Sequence, residues 1–202
     1  MVAVCVFCSS SDVIDTRHHD LAAALGAELA RRGHSLVSGG GRVSMMGAVA
    51  RAARDGGART VGVIPQALVG LEVADDDADD LVVTPDMRTR KARMDAAADA
   101  FVVLPGGIGT LEELLEVWVS RSLGMHSKPV VVCDPDGVYG ALRDLVDDLV
   151  DAGFVRRAAA AELVWTSDVG AAVDAVDAGI AGSRLVRPDF DRVVSETLEA
   201  EP

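Results

Sequence analysis

The stretch FVVLPGGIGTLEELLEVWVSRSL, residues 101–123, joins a short apolar run to a longer amphipathic one through a glycine-rich turn. Residues 101–104 have the length and composition of a buried strand, whereas apolar residues recur at helical spacing within residues 110–123. A strand that feeds a helix in this way is part of a βαβ unit, and repeated units build a parallel sheet covered by helices. The stretch therefore predicts an α/β fold.

The same alternation continues along most of the chain, without an internal repeat or an interdomain linker. It predicts strands at residues 2–7, 35–38, 60–64, 81–83, 101–104, 130–133 and 163–165. It predicts helices at residues 17–32, 46–54, 88–98, 110–123, 140–152 and 168–178. We therefore expect one Rossmann-like three-layer domain over residues 1–182, with a mostly parallel sheet flanked by helices, and a polar C-terminal tail over residues 183–202.

Composition and charge exclude several classes of protein. A chain of 202 residues can bury one full α/β core, whereas two domains would be cramped. No apolar run reaches the roughly 18 residues that a membrane span needs, and the N-terminus lacks the basic region of a secretory signal, so we expect a cytoplasmic protein without a membrane partner. The net charge of −13 argues against a nucleic-acid partner, but a few local cations could still bind a small phosphorylated ligand.

The cysteines and histidines do not form a metal-binding pattern. Cys5 and Cys8 make a C-x-x-C pair, which allows a redox or zinc-binding interpretation. A thioredoxin-like pair should open a helix, however, and zinc would need two further ligands. We therefore expect Cys5, Cys8 and Cys133 to be buried thiols, His18 and His19 to lie on a solvated helix face, and the protein to need no metal and no cofactor.

Three turns of small residues follow three of the predicted strands. They are CSSS (8–11), GGGRVSMMG (39–47) and PGGIGTLEE (105–113). The carboxyl ends of parallel strands meet at one edge of a sheet, where helix N-termini offer free N–H groups, so we expect these turns to form a ligand site. Tight packing of helix on sheet is the alternative for any single turn. The usual dinucleotide and P-loop patterns are absent, which disfavours a dehydrogenase or an NTPase.

The third turn carries a threonine and a glutamate three residues apart. Thr110 and Glu113 have the spacing of a capping box, and they could simply satisfy each other's backbone donors. Capping alone does not need Gly106, Gly107 and Gly109 in front, which allow the backbone to approach a ligand closely. Glu113 would then face the same crevice as the glycines.

A basic cluster, MRTRKARM (87–94), lies at a predicted helix start. Arg88, Arg90, Lys91 and Arg93 oppose the helix dipole there unless an anion is bound, so the cluster indicates either a phosphate site or a solvated basic face. An acidic run at residues 75–80 is more typical of a solvated loop than of a metal site.

Four stretches together resemble one known family: SGGGRVSMMGAVARAA (38–53), VIPQALVGLEV (63–73), MRTRKARM (87–94) and LPGGIGTLEELLEVW (104–118). They are similar to the LOG (Lonely Guy) family of cytokinin riboside 5′-monophosphate phosphoribohydrolases, which are often mislabelled as lysine decarboxylases. The similarity runs in order over nearly the whole chain. Its most specific element, P-G-G-x-G-T-x-x-E, spans residues 105–113.

The resemblance implies a homodimeric enzyme that hydrolyses the base–ribose bond of a nucleoside 5′-monophosphate such as AMP or N6-prenylated AMP. It implies that Arg90 and Glu113 are the catalytic pair. It also implies that the substrate contacts Ser9, Gly40, Gly41, Glu72, Met87, Arg90, Lys91, Gly106, Gly107, Gly109, Thr110 and Glu113. In this hypothesis Glu113 stabilises the cationic sugar or activates water, and Arg90 holds the phosphate. Solvent, Glu72 or Glu112 would protonate the leaving base.

The chain departs from the family pattern at several positions. Ser44 and Met45 stand where the family usually has Gly and Leu, Arg88 and Thr89 replace His-Glu, and Val119 replaces a threonine. These changes bear on base preference more than on the reaction. A non-catalytic carrier of a nucleotide or of the molybdenum cofactor is the alternative on the same fold. Pyridoxal-dependent lysine decarboxylation is disfavoured, since Lys91 and Lys128 are the only lysines.

Overall fold

The computed structural model describes residues 1–70 and 74–183. Its strands are β1 (Ala3–Phe7), β2 (Ser35–Ser38), β3 (Thr60–Pro65), β4 (Asp80–Thr84), β5 (Ala100–Val103), β6 (Val130–Cys133) and β7 (Leu163–Thr166). Its helices are α1 (Thr16–Arg31), α2 (Ser44–Asp55), α3 (Met87–Ala97), α4 (Ile108–Ser122), α5 (Gly140–Asp151), α6 (Arg157–Ala160) and α7 (Val169–Ser183), with a 3₁₀ turn at Gln66–Leu68. All the predicted strands and helices are confirmed; α6 and the 3₁₀ turn were not predicted.

The seven strands form a single sheet in the order β4-β3-β2-β1-β5-β6-β7, and every neighbouring pair is parallel. The predicted α/β class is therefore confirmed, with a sheet that is entirely parallel over these strands. After β4 the chain returns to the centre and adds β5 on the other side of β1. The crevice between β1 and β5 is thus the switch point at which open α/β sheets bind ligands.

Helices cover both faces of the sheet and give the expected three layers. Side chains of β1 alternate between the two cores, with Val4 and Val6 on one face and Cys5 and Phe7 on the other. Helices α1, α2 and α7 supply the first core, and α3, α4 and α5 supply the second.

None of the helices within the described residues is long and apolar enough to cross a membrane.

The start of α4 differs from the sequence prediction. The helix begins at Ile108, with Gly107 as its N-cap, and no side chain caps it. Thr110 therefore lies in the first turn instead of capping the helix, and the predicted capping box is wrong. The reason is local packing: a Cβ on Gly106 would lie 2.2 Å from Thr110 Oγ1, so the threonine side chain fills the space beside the glycine turn.

The expectation that His18 and His19 lie on a solvated helix face is also wrong. His18 is buried on α1, with its Nδ1 3.8 Å from Asp136 Oδ2, and His19 is half-buried with its Nε2 3.3 Å from Ser44 Oγ at the start of α2. The acidic run is solvated as expected at Asp76, Asp77 and Asp79, whereas Asp75 is buried and accepts two hydrogen bonds from Arg54. Asp79 accepts from the backbone N–H of Thr60 at 2.7 Å. The predicted tail lies outside the described residues beyond residue 183.

Candidate active site

An open cleft of about 310 Å³ lies at the carboxyl ends of β1 and β5, at the switch point of the sheet. The serine turn after β1 forms one wall, and the glycine turn with the first two turns of α4 forms the opposite wall. Its lining residues are Cys8, Ser9, Ser10, Ser11, Met46, Met87, Arg90, Gly107, Ile108, Gly109, Thr110, Glu112 and Glu113. The cleft therefore brings the first and third predicted turns together, and Met46 of the second turn also lines it.

The serine turn is held by hydrogen bonds on both sides of the cleft. The backbone N–H of Ser9 donates to Pro105 O at 3.3 Å, and its buried hydroxyl accepts from the N–H of Ser11 at 3.1 Å. The hydroxyl of Ser44, at the start of α2, donates to Ser11 O at 2.6 Å. The turn is thus fixed relative to both the glycine turn and α2.

The N-terminus of α4 opens into the cleft through Gly107, Ile108, Gly109 and Thr110. The first N–H groups of a helix have no partner within the helix, and α4 has no side-chain cap to accept from them. Their partial positive charge favours an anion at this position. The glycine turn is therefore suited to a phosphate group.

Arg90 is buried at the base of the cleft, and backbone carbonyl groups hold most of its guanidinium. Its Nε donates to Val63 O at 3.0 Å and its Nη2 donates to Gly39 O at 3.2 Å. Its Nη1 lies 3.6 Å from Glu113 Oε1. Backbone carbonyls thus occupy two of the five N–H donors of the guanidinium, and Nη1 is directed toward the carboxylate of Glu113.

Glu113 lies between the cleft and a second cavity. Only 12% of its side chain is exposed. The second cavity, of about 220 Å³, lies between α3 and α4 and is lined by Phe7, Arg88, Lys91, Ala92, Asp95, Phe101, Glu113, Glu116, Val117, Ser120 and His126. A ligand that spans the two spaces would pass the carboxylate of Glu113.

Lys91 faces the second cavity and not the cleft. Its ammonium group contacts the carboxylates of Glu112 and Glu116 on α4, the latter at 2.5 Å. The hydrogen bond to Glu112, followed by the one to Glu116, raises the pKa of Lys91 above its ordinary value. The structure therefore separates Lys91 from the neighbouring Arg90, because successive residues of a helix point in different directions.

The second glycine turn reaches the cleft only through its later residues. Gly40 has a φ of 73°, and its carbonyl accepts from the N–H of Asp75 at 2.9 Å, while Gly41 forms a bridge with Ala74. Gly40 packs beside Val63 and Ile64 of β3. Neither glycine is among the residues that line the cleft, whereas Met46 of the same turn lines it. Glu72 lies outside the described residues.

Cys8 lines the cleft, as expected for a residue of the turn at 8–11. Burial, with a further contribution from Glu113, raises the pKa of its thiol well above the ordinary value. Burial likewise raises the pKa of Cys5, so both thiols stay protonated and unsuited to redox chemistry. Among the described residues, no group of three or more His, Cys, Asp or Glu side chains could hold a metal ion.

Comparison with known proteins identifies close relatives. A family model described as "possible lysine decarboxylase" matches residues 46–176. A Mycobacterium marinum protein named cytokinin riboside 5′-monophosphate phosphoribohydrolase is 51% identical over 160 residues, covering 79% of this chain and 86% of the relative. A Mycobacterium tuberculosis protein of the same name is 49% identical over 166 residues, covering 82% and 88%.

Solved structures share the fold at greater distance. The molybdenum cofactor carrier protein of Chlamydomonas reinhardtii superposes with a TM-score of 0.67 at 22% identity, over 90% of this chain and 98% of the carrier. That similarity supports the architecture alone, whereas the sequence matches cover most of both chains at about half identity. The chain therefore belongs to the LOG family of cytokinin riboside 5′-monophosphate phosphoribohydrolases, to which the description "possible lysine decarboxylase" is also attached.

Proposed function

We propose that the protein hydrolyses the N-glycosidic bond of a nucleoside 5′-monophosphate and releases the free base and ribose 5-phosphate. The observation that carries the proposal is the position of Glu113. Its carboxylate, paired with Arg90, stands where the cleft that suits a phosphate meets a second cavity that suits a base. The names of the mycobacterial relatives support the same reaction.

The phosphate group is proposed to bind at the N-terminus of α4. The N–H groups of Gly107, Gly109 and Thr110 and the hydroxyls of Ser9 and Ser10 surround this end of the cleft. A phosphate accepts hydrogen bonds through three oxygens, and a helix N-terminus stabilises its charge. This arrangement binds the phosphate without a lysine, which agrees with the direction of the Lys91 side chain toward the carboxylates of α4.

The base is proposed to occupy the cavity between α3 and α4. Phe7 and Phe101 stack at its floor, with ring centroids 5.8 Å apart, and the polar side chains of Arg88, Asp95 and Ser120 stand around them. An apolar cavity with a few polar groups is typical of sites for heteroaromatic ligands. Adenine and its N6-prenylated form are the substrates that we propose.

The chemistry follows from charge that develops on the sugar. Cleavage of the base–ribose bond gives the anomeric carbon oxocarbenium character, and the carboxylate of Glu113 stabilises that charge or takes a proton from the attacking water. Water supplies the hydroxyl group that the ribose gains, and the departing nitrogen gains a proton. Arg90 orients the carboxylate through Nη1 while its other nitrogens remain on Val63 O and Gly39 O.

Lysine decarboxylation finds no support in the chemistry of the two lysines. A lysine that forms a Schiff base needs a lowered pKa, so that the amine is neutral and nucleophilic. The pKa of Lys91 is raised by Glu112 and Glu116, and Lys128 donates to both the carboxylate and the carbonyl of Asp95.

A non-catalytic carrier of a nucleotide or of the molybdenum cofactor is the alternative function on the same fold. Incubation of the purified protein with AMP, followed by chromatography for adenine and ribose 5-phosphate, separates the two functions. We expect both products in equal amounts, and faster release from N6-isopentenyl AMP if the larger base fills the second cavity better. Binding of AMP without product would favour the carrier.

We also propose that two copies form a homodimer in the cytoplasm. An exposed apolar stripe runs along α4 through Ile108, Leu115 and Val119 and continues at Leu123, which caps the helix. Contiguous apolar surface of this kind marks an interaction site, and a twofold axis would let the stripe cover itself. The three free, buried thiols suit a reducing compartment. Light scattering should give twice the chain mass, and Val119→Glu should give the monomer.

A further inference from the structure

The hydroxyl of Tyr139 contacts the glycine turn from the side opposite to the cleft. Its oxygen lies 3.2 Å from both Leu104 O and Gly106 O, so the two carbonyls share its single O–H donor. The side chain is buried, and burial raises the pKa of the phenol, so the group remains a donor at neutral pH. It is the sole tyrosine of the sequence, and it belongs to none of the predicted motifs.

The loop between β6 and α5 holds Tyr139 firmly in place. The carboxylate of Asp134 accepts from the N–H of Val138 at 2.9 Å and from the N–H of Tyr139 at 2.7 Å. The N–H of Asp134 in turn donates to Thr166 O on β7. The phenol therefore projects from a braced loop, and it does not depend on the glycine turn for its own position.

A peptide unit transmits this contact to the cleft. The unit between Gly106 and Gly107 is planar and trans, so its C=O and N–H point in opposite directions. When Tyr139 fixes the carbonyl of Gly106 on one side, the N–H of Gly107 must point to the other, and Gly107 lines the cleft. Glycine has little intrinsic preference for one peptide orientation, so an external contact is needed to select it.

We infer that Tyr139 is a positioning residue, which orients the Gly107 N–H for the phosphate of the substrate by fixing the carbonyl of Gly106. The inference rests on the proposed function for the identity of the ligand, but its test uses binding of ribose 5-phosphate. Tyr139 is not among the residues that line the cleft, and its hydroxyl reaches the cleft only through the Gly106 carbonyl. Its loss should therefore weaken phosphate binding and leave the bond-breaking step largely intact.

The test compares Tyr139→Phe with the wild type by calorimetric titration with ribose 5-phosphate and with adenine. Loss of one buried hydrogen bond should weaken ribose 5-phosphate binding by about threefold to tenfold and leave adenine binding unchanged. With AMP as substrate, KM should rise by a similar factor while kcat changes by less than about twofold, as expected for uniform binding. Unchanged affinity for ribose 5-phosphate, or an equal loss for adenine, would overturn the inference.

Two further variants separate positioning from stability. Thr60→Val removes another buried hydroxyl, which donates to Asp79 at the amino ends of the strands, far from the cleft. This variant should lower the melting temperature without changing the affinity for ribose 5-phosphate. Asp134→Asn weakens the hydrogen bonds that hold the Tyr139 backbone, and it should reproduce a smaller part of the loss of affinity.

The same measurements distinguish failure of the two proposals. If the wild type binds ribose 5-phosphate but releases no adenine from AMP, the hydrolase proposal fails while the proposed role of Tyr139 stands. Failure to bind ribose 5-phosphate overturns both.

Discussion

The guanidinium of Arg90 and the carboxylate of Glu113 meet at 3.6 Å, with only 8% and 12% of their side chains exposed. They come from α3 and α4, which precede and follow β5 in the chain and pack on the same face of the sheet. An ion pair so far removed from solvent is costly to form unless both charges are also hydrogen-bonded, and Arg90 meets that need through two backbone carbonyls. The pair is therefore a fixed element of the cleft.

Replacement of this carboxylate tests the proposed chemistry directly. Glu113→Gln keeps the size of the side chain but removes the charge that would stabilise the cationic sugar. We expect turnover of AMP to fall by at least about 10²-fold, with AMP still bound. Single-turnover kinetics and a separate binding titration measure the two effects. Near-normal turnover would remove Glu113 from the reaction.

Glu112 provides the matched comparison one residue earlier on α4. Its carboxylate is about half exposed and is paired with Lys91. If solvent protonates the leaving base, Glu112→Gln should retain turnover within about tenfold, because the carboxylate then takes no part in the chemical step. A loss as large as that of Glu113→Gln would instead identify Glu112 as the proton donor.

Arg90→Ala should affect both the ligand and the fold. It leaves Val63 O and Gly39 O without their donor, which should destabilise the protein by about 1–3 kcal/mol. It also removes the cation nearest to the cleft, so the KM for AMP should rise far more than the KM for adenosine. Arg90→Lys is the control for charge: it keeps the cation but cannot reach both carbonyls. Equal losses for AMP and adenosine would refute a role toward the phosphate.

Periodicity predicted the elements of the fold, and the strand-end rule predicted the cleft. Residues 8–11 and 105–113 could be assigned to one site because both follow strands, and the structure places them on opposite walls. The start of α4 was misplaced since it depends on the backbone of Gly107, which no side-chain pattern reveals.

The contacts of the site were less predictable than its location. Arg90 and Lys91 are adjacent in sequence, yet one is directed to the cleft and the other to Glu112 and Glu116, which depends on how α3 is rotated against α4. The role of Tyr139 arises from a loop some thirty residues beyond the glycine turn. Neither relationship leaves a local signal in the sequence.

Acid should lower the stability of the folded protein through protonation of Glu28 on α1. Hydrogen bonds from Arg31, and then from Arg32, outweigh partial burial and lower the pKa of Glu28 from 4.5 to about 2. Because the folded state holds the proton less tightly than the unfolded state, this contribution is complete above about pH 4.5 and is lost as the pH falls toward 2. Glu28→Gln should cost about 1 kcal/mol at pH 7 by urea unfolding and much less at pH 2.5. Asp151→Asn, at an exposed pair with Arg157, should show no such trend.

Ser44 combines backbone strain with a contact to the cleft wall. Its φ of 51° lies in the left-handed region, where no other non-glycine of the described residues is found. Its hydroxyl donates to Ser11 O and lies beside His19. Ser44→Ala keeps the strain and loses both contacts, whereas Ser44→Gly loses the contacts but relieves the strain.

The two Ser44 variants should therefore differ in stability but not in function. We expect Ser44→Gly to be more stable than Ser44→Ala by about 1 kcal/mol in the free energy of unfolding, since glycine adopts a positive φ without the steric penalty of a Cβ. Both should raise the KM for AMP by the same small factor, because each frees the serine turn from α2. Chemical denaturation and steady-state kinetics measure the two effects. Equal stability of the variants would show that the left-handed backbone carries no strain, and an unchanged KM in both would show that Ser11 needs no anchor on α2.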